Sequence, residues 1–303
     1  MMQPDQAIPP SPPAPPAALR MLSWASALLI GVGLYMALIY APTERVMGDV
    51  QRVFYFHVGA AWAGALAFLV TAAAGAVYLI TRRAAWDRLG HSAVEVGLVL
   101  MTMTLLSGPV WARSAWGTLW TWDPKLSSAL AMWLAYAAYL MLRRGIEDPA
   151  RRRAFGAIYS MVAFISVILT FVGVRFITAA IHPTVIGPAA GGQAGGFGMA
   201  PRMAHALAAS VIAYTALFAA LAWHRARLQQ LAERVEALAL HAMLASRGAV
   251  LAVLPLAAFA AATPDTRGFM ALGYALILGA GALYVASLAV RMRRLRRREQ
   301  RGA

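Results

Sequence analysis

Residues 51–80 read QRVFYFHVGAAWAGALAFLVTAAAGAVYLI, and from Val53 to Ile80 the run holds no Asp, Glu, Lys or Arg. About 20 such residues form a helix long enough to cross the hydrocarbon core of a bilayer. The stretch therefore reads as a membrane span over 54–80, with His57 near one end. Comparable runs recur along the whole chain of 303 residues, which is 61% hydrophobic and 13% charged, with mean hydropathy +0.63. Soluble domains carry roughly 25% charged residues. The expected fold class is all-α, a polytopic membrane helix bundle.

Working outward, spans are expected near 21–40, 54–80, 92–111, 126–142, 155–180, 203–223, 249–263 and 268–290. Residues 1–18 hold seven of the sixteen Pro and read as a disordered, extended leader. The leader lacks Lys and Arg, and an apolar run follows it, which predicts a retained first helix rather than a cleaved signal peptide. The organisation is then a leader at 1–18, a six-span domain at 19–225, a cytoplasmic amphipathic helix at 226–248, and two additional spans with a basic tail at 249–303. In the amphipathic segment Leu228, Leu231, Val235 and Leu238 form a helical stripe, while Arg227, Glu233, Arg234 and Glu236 lie elsewhere.

The net charge of +15 raises nucleic acid as a partner, but its distribution argues otherwise. Through the eight spans, 20 of the 27 Lys and Arg fall on one side of the membrane and 7 on the other. Such a bias sets orientation and predicts both termini of this multi-pass protein in the cytoplasm. No nucleic-acid partner is expected. The absence of Cys removes disulfides and thiolate metal sites. No Walker sequence or H-E-x-x-H occurs, and GGQAGGFG at 191–198 does not follow a strand, so it reads as a loop.

Three loops then share the outer side. The first holds His57, the third holds His182 in VRFITAAIHPTVIG, and the second carries WGTLWTWD at 116–123 with Trp111 just upstream. Trp is enriched at membrane interfaces, so an aromatic belt is one account of Trp116, Trp120 and Trp122. Their close spacing predicts instead a compact aromatic wall. Asp123 before Pro124 is a helix start, Asp as N-cap and Pro at N1. Lys125, the single Lys of the chain, lies one turn from the wall. His91, His224 and His241 fall on the cytoplasmic side and read as structural, whereas His205 near the outer end of the sixth span is ambiguous. A lone His is more often a hydrogen-bonded structural group than a ligand, but His57 and His182 both face the wall. A flat aromatic wall, two imidazoles and a few cations suit haem, whose iron accepts two axial imidazoles and whose propionates pair with cations. Quinone and lipid sites also use aromatic walls.

WGTLWTWDPKLSS resembles the tryptophan-rich signature of the haem-handling protein superfamily, W-G-x-x-W-x-W-D-x-[RK]-L-[TS]. YFHVGAAW and VRFITAAIHPTVIG resemble the two histidine motifs of its cytochrome c maturation protein C family, over roughly residues 20–225. Gly59 stands where Pro is expected in that family, and the approach to His182 lacks the aromatic residue often found there. The resemblance implies a non-enzymatic subunit that holds haem b at the outer face of the membrane. His57 and His182 would be the axial ligands of a bis-histidine iron. Trp116, Trp120, Trp122 and Asp123 would form the platform, with Lys125 at its basic position. The implied partners are a periplasmic haem chaperone, the ABC transporter subunits of the maturation system, and its small single-span subunit. The eighth span with its Arg tail loosely resembles that last subunit in fused form. Two other readings compete. A cytochrome c synthase-type haem ligase shares the Trp signature but carries further membrane histidines and a large partner domain. A transporter using the Trp loop as an interfacial anchor predicts no haem and tolerance of changes at His57.

Overall fold

The computed structural model describes residues 14–173 and 199–245. Within them lie six helices long and apolar enough to cross a membrane. They are α1 (Ala17–Tyr35), α2 (Arg52–Thr81), α3 (Ala84–Trp116), α4 (Pro124–Arg144), α5 (Pro149–Phe171) and α6 (Pro201–Ala245). A π-helical turn, Met36–Tyr40, extends α1, and a 3-10 turn, Asp49–Gln51, leads into α2. This is the expected all-helical six-span core. His182, the 191–198 loop and the expected seventh and eighth spans lie outside the described residues.

The chain runs up and down. Gly97 of α3 abuts Ala67 and Phe68 of α2, while Gly108 further along α3 abuts His57 nearer the start of α2, so the two helices are antiparallel. In the same way Trp133 of α4 bonds Thr102 of α3, and Arg143 bonds Asp87. Gly33 of α1 meets Ala213 of α6, and Ser23 meets His224. One end of the bundle therefore gathers the starts of α2, α4 and α6 and the finishes of α1, α3 and α5. That end carries the Trp loop. The other end carries Arg82, Arg83, Arg88, Arg143, Arg144 and Arg151 to Arg153.

α2 is the central helix, and its sequence explains why. Ala63, Ala67, Thr71 and Gly75 recur every fourth residue and are buried. Small side chains at this spacing let helix backbones approach closely, which is how apolar helices associate where lipid supplies no hydrophobic drive. At Gly75 an added Cβ would stand 2.7 Å from Ser160 Oγ and 3.0 Å from the Ala157 carbonyl, both on α5. Larger side chains fill the remaining gaps, with Phe68 stacked on Tyr136 of α4 at 3.6 Å between ring centroids.

Hydropathy placed some boundaries too far inward. α3 starts at Ala84 rather than 92, because its polar residues are paired across the bundle rather than left in a loop. Arg143 binds Asp87 through two hydrogen bonds of 2.6 and 2.9 Å, Arg88 binds Glu233 at 2.9 Å, and Arg225 binds Glu95 twice at 2.7 Å. α5 starts at Pro149 rather than 155, where the Asp148 carboxylate accepts the Arg151 N–H. The junction at 225/226 falls inside α6, which runs unbroken from the sixth span into the amphipathic segment.

Candidate functional site

His57 lies on the second turn of α2, half-buried against α3. Gly108 packs against it: an added Cβ there would stand 3.2 Å from His57 Cε1, so a side chain would make the ring give by a few tenths of an ångström. The imidazole Nδ1 lies 3.0 Å from Ser107 Oγ, and Ser107 Oγ in turn donates to the Thr104 carbonyl at 3.3 Å. With the hydroxyl proton directed at Thr104, the Ser107 oxygen accepts from His57 Nδ1–H. That tautomer puts the ring's lone pair on Nε2.

The tryptophans include two edge-to-face pairs. Trp111 and Trp116 both belong to the last turns of α3 and meet edge to face, 5.2 Å between centroids at 88°. Trp111 is buried, donates Nε1–H to Gln51 Oε1 at 3.1 Å, and packs with Phe54, Tyr55 and Met203. It braces α3 on α2 and α6. Helix α3 then ends at Gly117, whose φ of +73° is the left-handed C-cap conformation that glycine adopts without steric cost. The chain turns into the loop carrying Trp120 and Trp122, also edge to face, at 5.7 Å and 78°. Trp122 is 59% exposed. Trp120 Nε1, Thr121 Oγ1 and Ser127 Oγ are buried and have no hydrogen-bond partner among the described residues.

Asp123 ends the loop as expected. Its Oδ1 accepts the Leu126 N–H at 2.7 Å, and Pro124 occupies the first helical position of α4. Lys125 is half-buried in the same turn. Among the described residues no group of three or more His, Asp or Glu could hold a metal ion, so a metal here would need His57 together with a ligand from elsewhere. The helices flanking the segment that contains His182, α5 and α6, finish and start at this end of the bundle.

Sequence reading missed several neighbours. Arg52 is committed to structure, donating to the carbonyls of Ala37 at 2.8 Å and Ala41 at 3.3 Å, and to Asp49 at 3.0 Å. It thereby satisfies carbonyls that the finish of α1 leaves open. The π-helical turn of α1 presents Tyr40 to the exposed His205, with Tyr40 Oη 3.2 Å from its Nδ1, and the Arg202 guanidinium lies over the Tyr40 ring. In the α1–α2 loop Glu44 accepts the N–H groups of Met47 at 2.6 Å and Val46 at 2.7 Å. The Met47 bond above all holds its carboxyl below the usual carboxylate range. None of these pairings has a local sequence signal, since most join distant parts of the chain.

The family described as heme exporter protein C matches residues 14–241. A heme exporter protein C of Bradyrhizobium diazoefficiens is 30% identical over 222 residues, 72% of this chain and 82% of the relative. One from Rhodobacter capsulatus is 28% identical over 166 residues, 54% of this chain and 69% of the relative. A cytochrome c biogenesis protein CcsA of Prochlorococcus marinus is 42% identical over 96 residues, 32% of this chain and 30% of that protein.

Proposed function

Since the chain belongs to the heme exporter protein C family, we infer that it serves cytochrome c maturation by holding haem at the Trp-bearing end of the bundle and handing it to a periplasmic chaperone. Its multi-pass helical architecture agrees with such a role. The observation that carries the reading is the hydrogen-bonded state of His57. A ligating histidine donates its second ring N–H to a fixed acceptor, which sets the tautomer and raises the basicity of the coordinating nitrogen. The chain from His57 Nδ1 through Ser107 to the Thr104 carbonyl has that form. In this reading His57 would hold the haem iron through Nε2, and His182 would supply the second nitrogen.

The surroundings fit an amphipathic ring system. The Trp120 and Trp122 pair supplies apolar aromatic surface for the macrocycle, while the buried Trp120 Nε1–H, Thr121 and Ser127 hydroxyls are donors suited to its carboxylate edge. Asp123 fixes where the loop meets α4, and Lys125 in the next turn adds a cation. In this reading the chain acts as a binding and transfer subunit beside the ABC transporter and single-span subunits, with the Trp end facing the periplasm.

The test is the absorption spectrum of the detergent-purified protein from haem-replete cells, beside His57→Ala and His182→Ala. A low-spin b-type spectrum, weakened or altered in both variants, is expected. A wild type that is colourless and takes up no added haem would overturn the reading and leave the Trp loop as an interfacial anchor.

A further inference from the structure

Residues 9–17 read PPSPPAPPA, a Pro-Pro-x triplet three times over and without a charge. A polyproline II helix has three residues per turn, so such a repeat sets Ser11 and Ala14 along one edge and proline along the other two. Residues 9–13 lie outside the described residues, but the end of the repeat does not. Pro16, the residue before α1, has φ −52° and ψ 144°, which is polyproline II backbone. It stands at the end of the bundle opposite the Trp loop. There Ala14 and Pro16 form one wall of an open cavity of about 360 Å³, facing Ala85 at the start of α3 and Trp223, Ala226 and Leu231 of α6. The Trp223 side chain is 41% exposed.

The walls decide what the cavity accepts. Pro-rich segments dock in grooves lined by aromatic side chains, because their backbone is already extended and little entropy is lost on binding. Trp223 supplies the aromatic face, and Ala85, Ala226 and Leu231 supply shallow apolar surface around it. A whole helix, about 10 Å across, would not enter so small a space. We propose that the cavity is the seat of the chain's own Pro-Pro-x repeat, with residues 9–13 folded back from Ala14 so that a proline edge lies on Trp223. The length permits this. At about 3.1 Å per residue five residues reach about 15 Å, and along α6 Trp223 stands about 12 Å from Leu231. Attachment favours this occupant over a Pro-rich segment of another chain, since a short tether holds its end at roughly millimolar effective concentration. The seat ties the start of α1 to the later turns of α6 and does not rest on the haem reading, because it lies at the far end of the bundle from His57.

The chain has no Cys, so a pair can be introduced without background. The full chain carrying Ser11→Cys and Gln230→Cys, the latter on the cavity wall, is treated with a mild oxidant in membranes. Disulfide formation is followed by peptide mass spectrometry and on non-reducing gels. The comparison pair is Ser11→Cys with Glu236→Cys, exposed on the same helix but not on the cavity wall. The cavity pair is expected to close within one chain, roughly tenfold faster than the comparison pair. Trp223→Ala, and separately Ser in place of Pro9, Pro10, Pro12 and Pro13, should each remove most of that advantage. Equal rates for the two pairs would overturn the seat. A bond between two chains would overturn the occupant and assign the cavity to the repeat of a second copy. Should Trp223→Ala fail to fold, the four Ser substitutions, which touch no helix, decide: an undiminished rate in them counts against the proposal.

Discussion

His57 depends on a serine fifty positions away in sequence, and that dependence can be measured. Replacing Ser107 with Ala removes the acceptor for Nδ1–H, and outer-shell partners of metal-bound histidines are typically worth 10–100-fold in affinity. Haem titration of Ser107→Ala should show a loss of roughly tenfold or more, with Ser107→Thr close to wild type. Equal binding by the Ala variant would mean that Ser107 does not orient the ring. Asp123 has a separable role as the N-cap of α4. Asp123→Ala should cost about 1 kcal/mol in thermal unfolding, whereas Asp123→Asn keeps an acceptor for the Leu126 N–H and should cost little. Any further haem deficit in the Asn variant would then report on charge. Glu44 gives the sign of one pH effect. Its folded pKa lies below the ordinary 4.5, so its contribution to the α1–α2 loop is present above that value and is lost as pH falls through the folded pKa. Loop resonances followed by NMR should shift in that window and be silent in Glu44→Gln. Of these residues the sequence marks His57 and Asp123, one by its setting at the end of an apolar run and the other by the Asp-Pro pair. Ser107 carries no such mark, because a serine inside an apolar helix reads the same whether or not it meets a histidine.

Among the elements, α2 shows how closely two helices of this bundle approach. At Gly59 an added Cβ would lie 2.7 Å from Ser210 Oγ and 2.8 Å from Tyr214 Cδ2, so α6 packs directly onto the glycine backbone. Ser210 uses that closeness to donate to the Tyr55 carbonyl at 2.7 Å. Gly59→Ala should therefore push α6 away and destabilise by roughly 1–3 kcal/mol, the usual cost of overpacking. Ser210→Ala in the same chain removes one of the two clashes and should return part of the loss in a thermal-unfolding cycle. The sequence shows Gly59 as unusual but not what packs on it. The Trp signature behaves similarly. Its clustering announces an aromatic site, but only the helix end at Gly117 separates the bracing pair, Trp111 and Trp116, from the loop pair, Trp120 and Trp122. Helix limits were read worst where charged residues pair across helices, as at the start of α3, since hydropathy counts Asp87 and Glu95 as solvent-seeking regardless of partner.

For the whole molecule, the apolar runs of the sequence marked six helices that the structure forms, because a chain crossing a bilayer must satisfy its backbone within each span. Those runs do not reveal that the basic end is also fastened. Arg143 is buried there and joined to the half-buried Asp87 by two hydrogen bonds. Arg143→Met should cost about 1–3 kcal/mol in thermal stability by leaving the carboxylate only its longer contact with Arg153 at 3.9 Å, and adding Asp87→Leu should recover most of it. A single variant as stable as the wild type would show that the pair contributes little to holding α3 on α4. The unbroken course of α6 has a mechanical consequence. With 45 residues it is about 68 Å long, more than twice the roughly 30 Å of hydrocarbon that it crosses. Its first turn carries His205 beside Tyr40, and its later turns carry Glu233 beside Arg88. Held at Ser210 near its start, at Arg225 past its middle and at Glu233 beyond that, the stiff rod is fastened at both ends of the bundle, so a displacement of its protruding arm is carried along the axis to the turns beside the Trp loop.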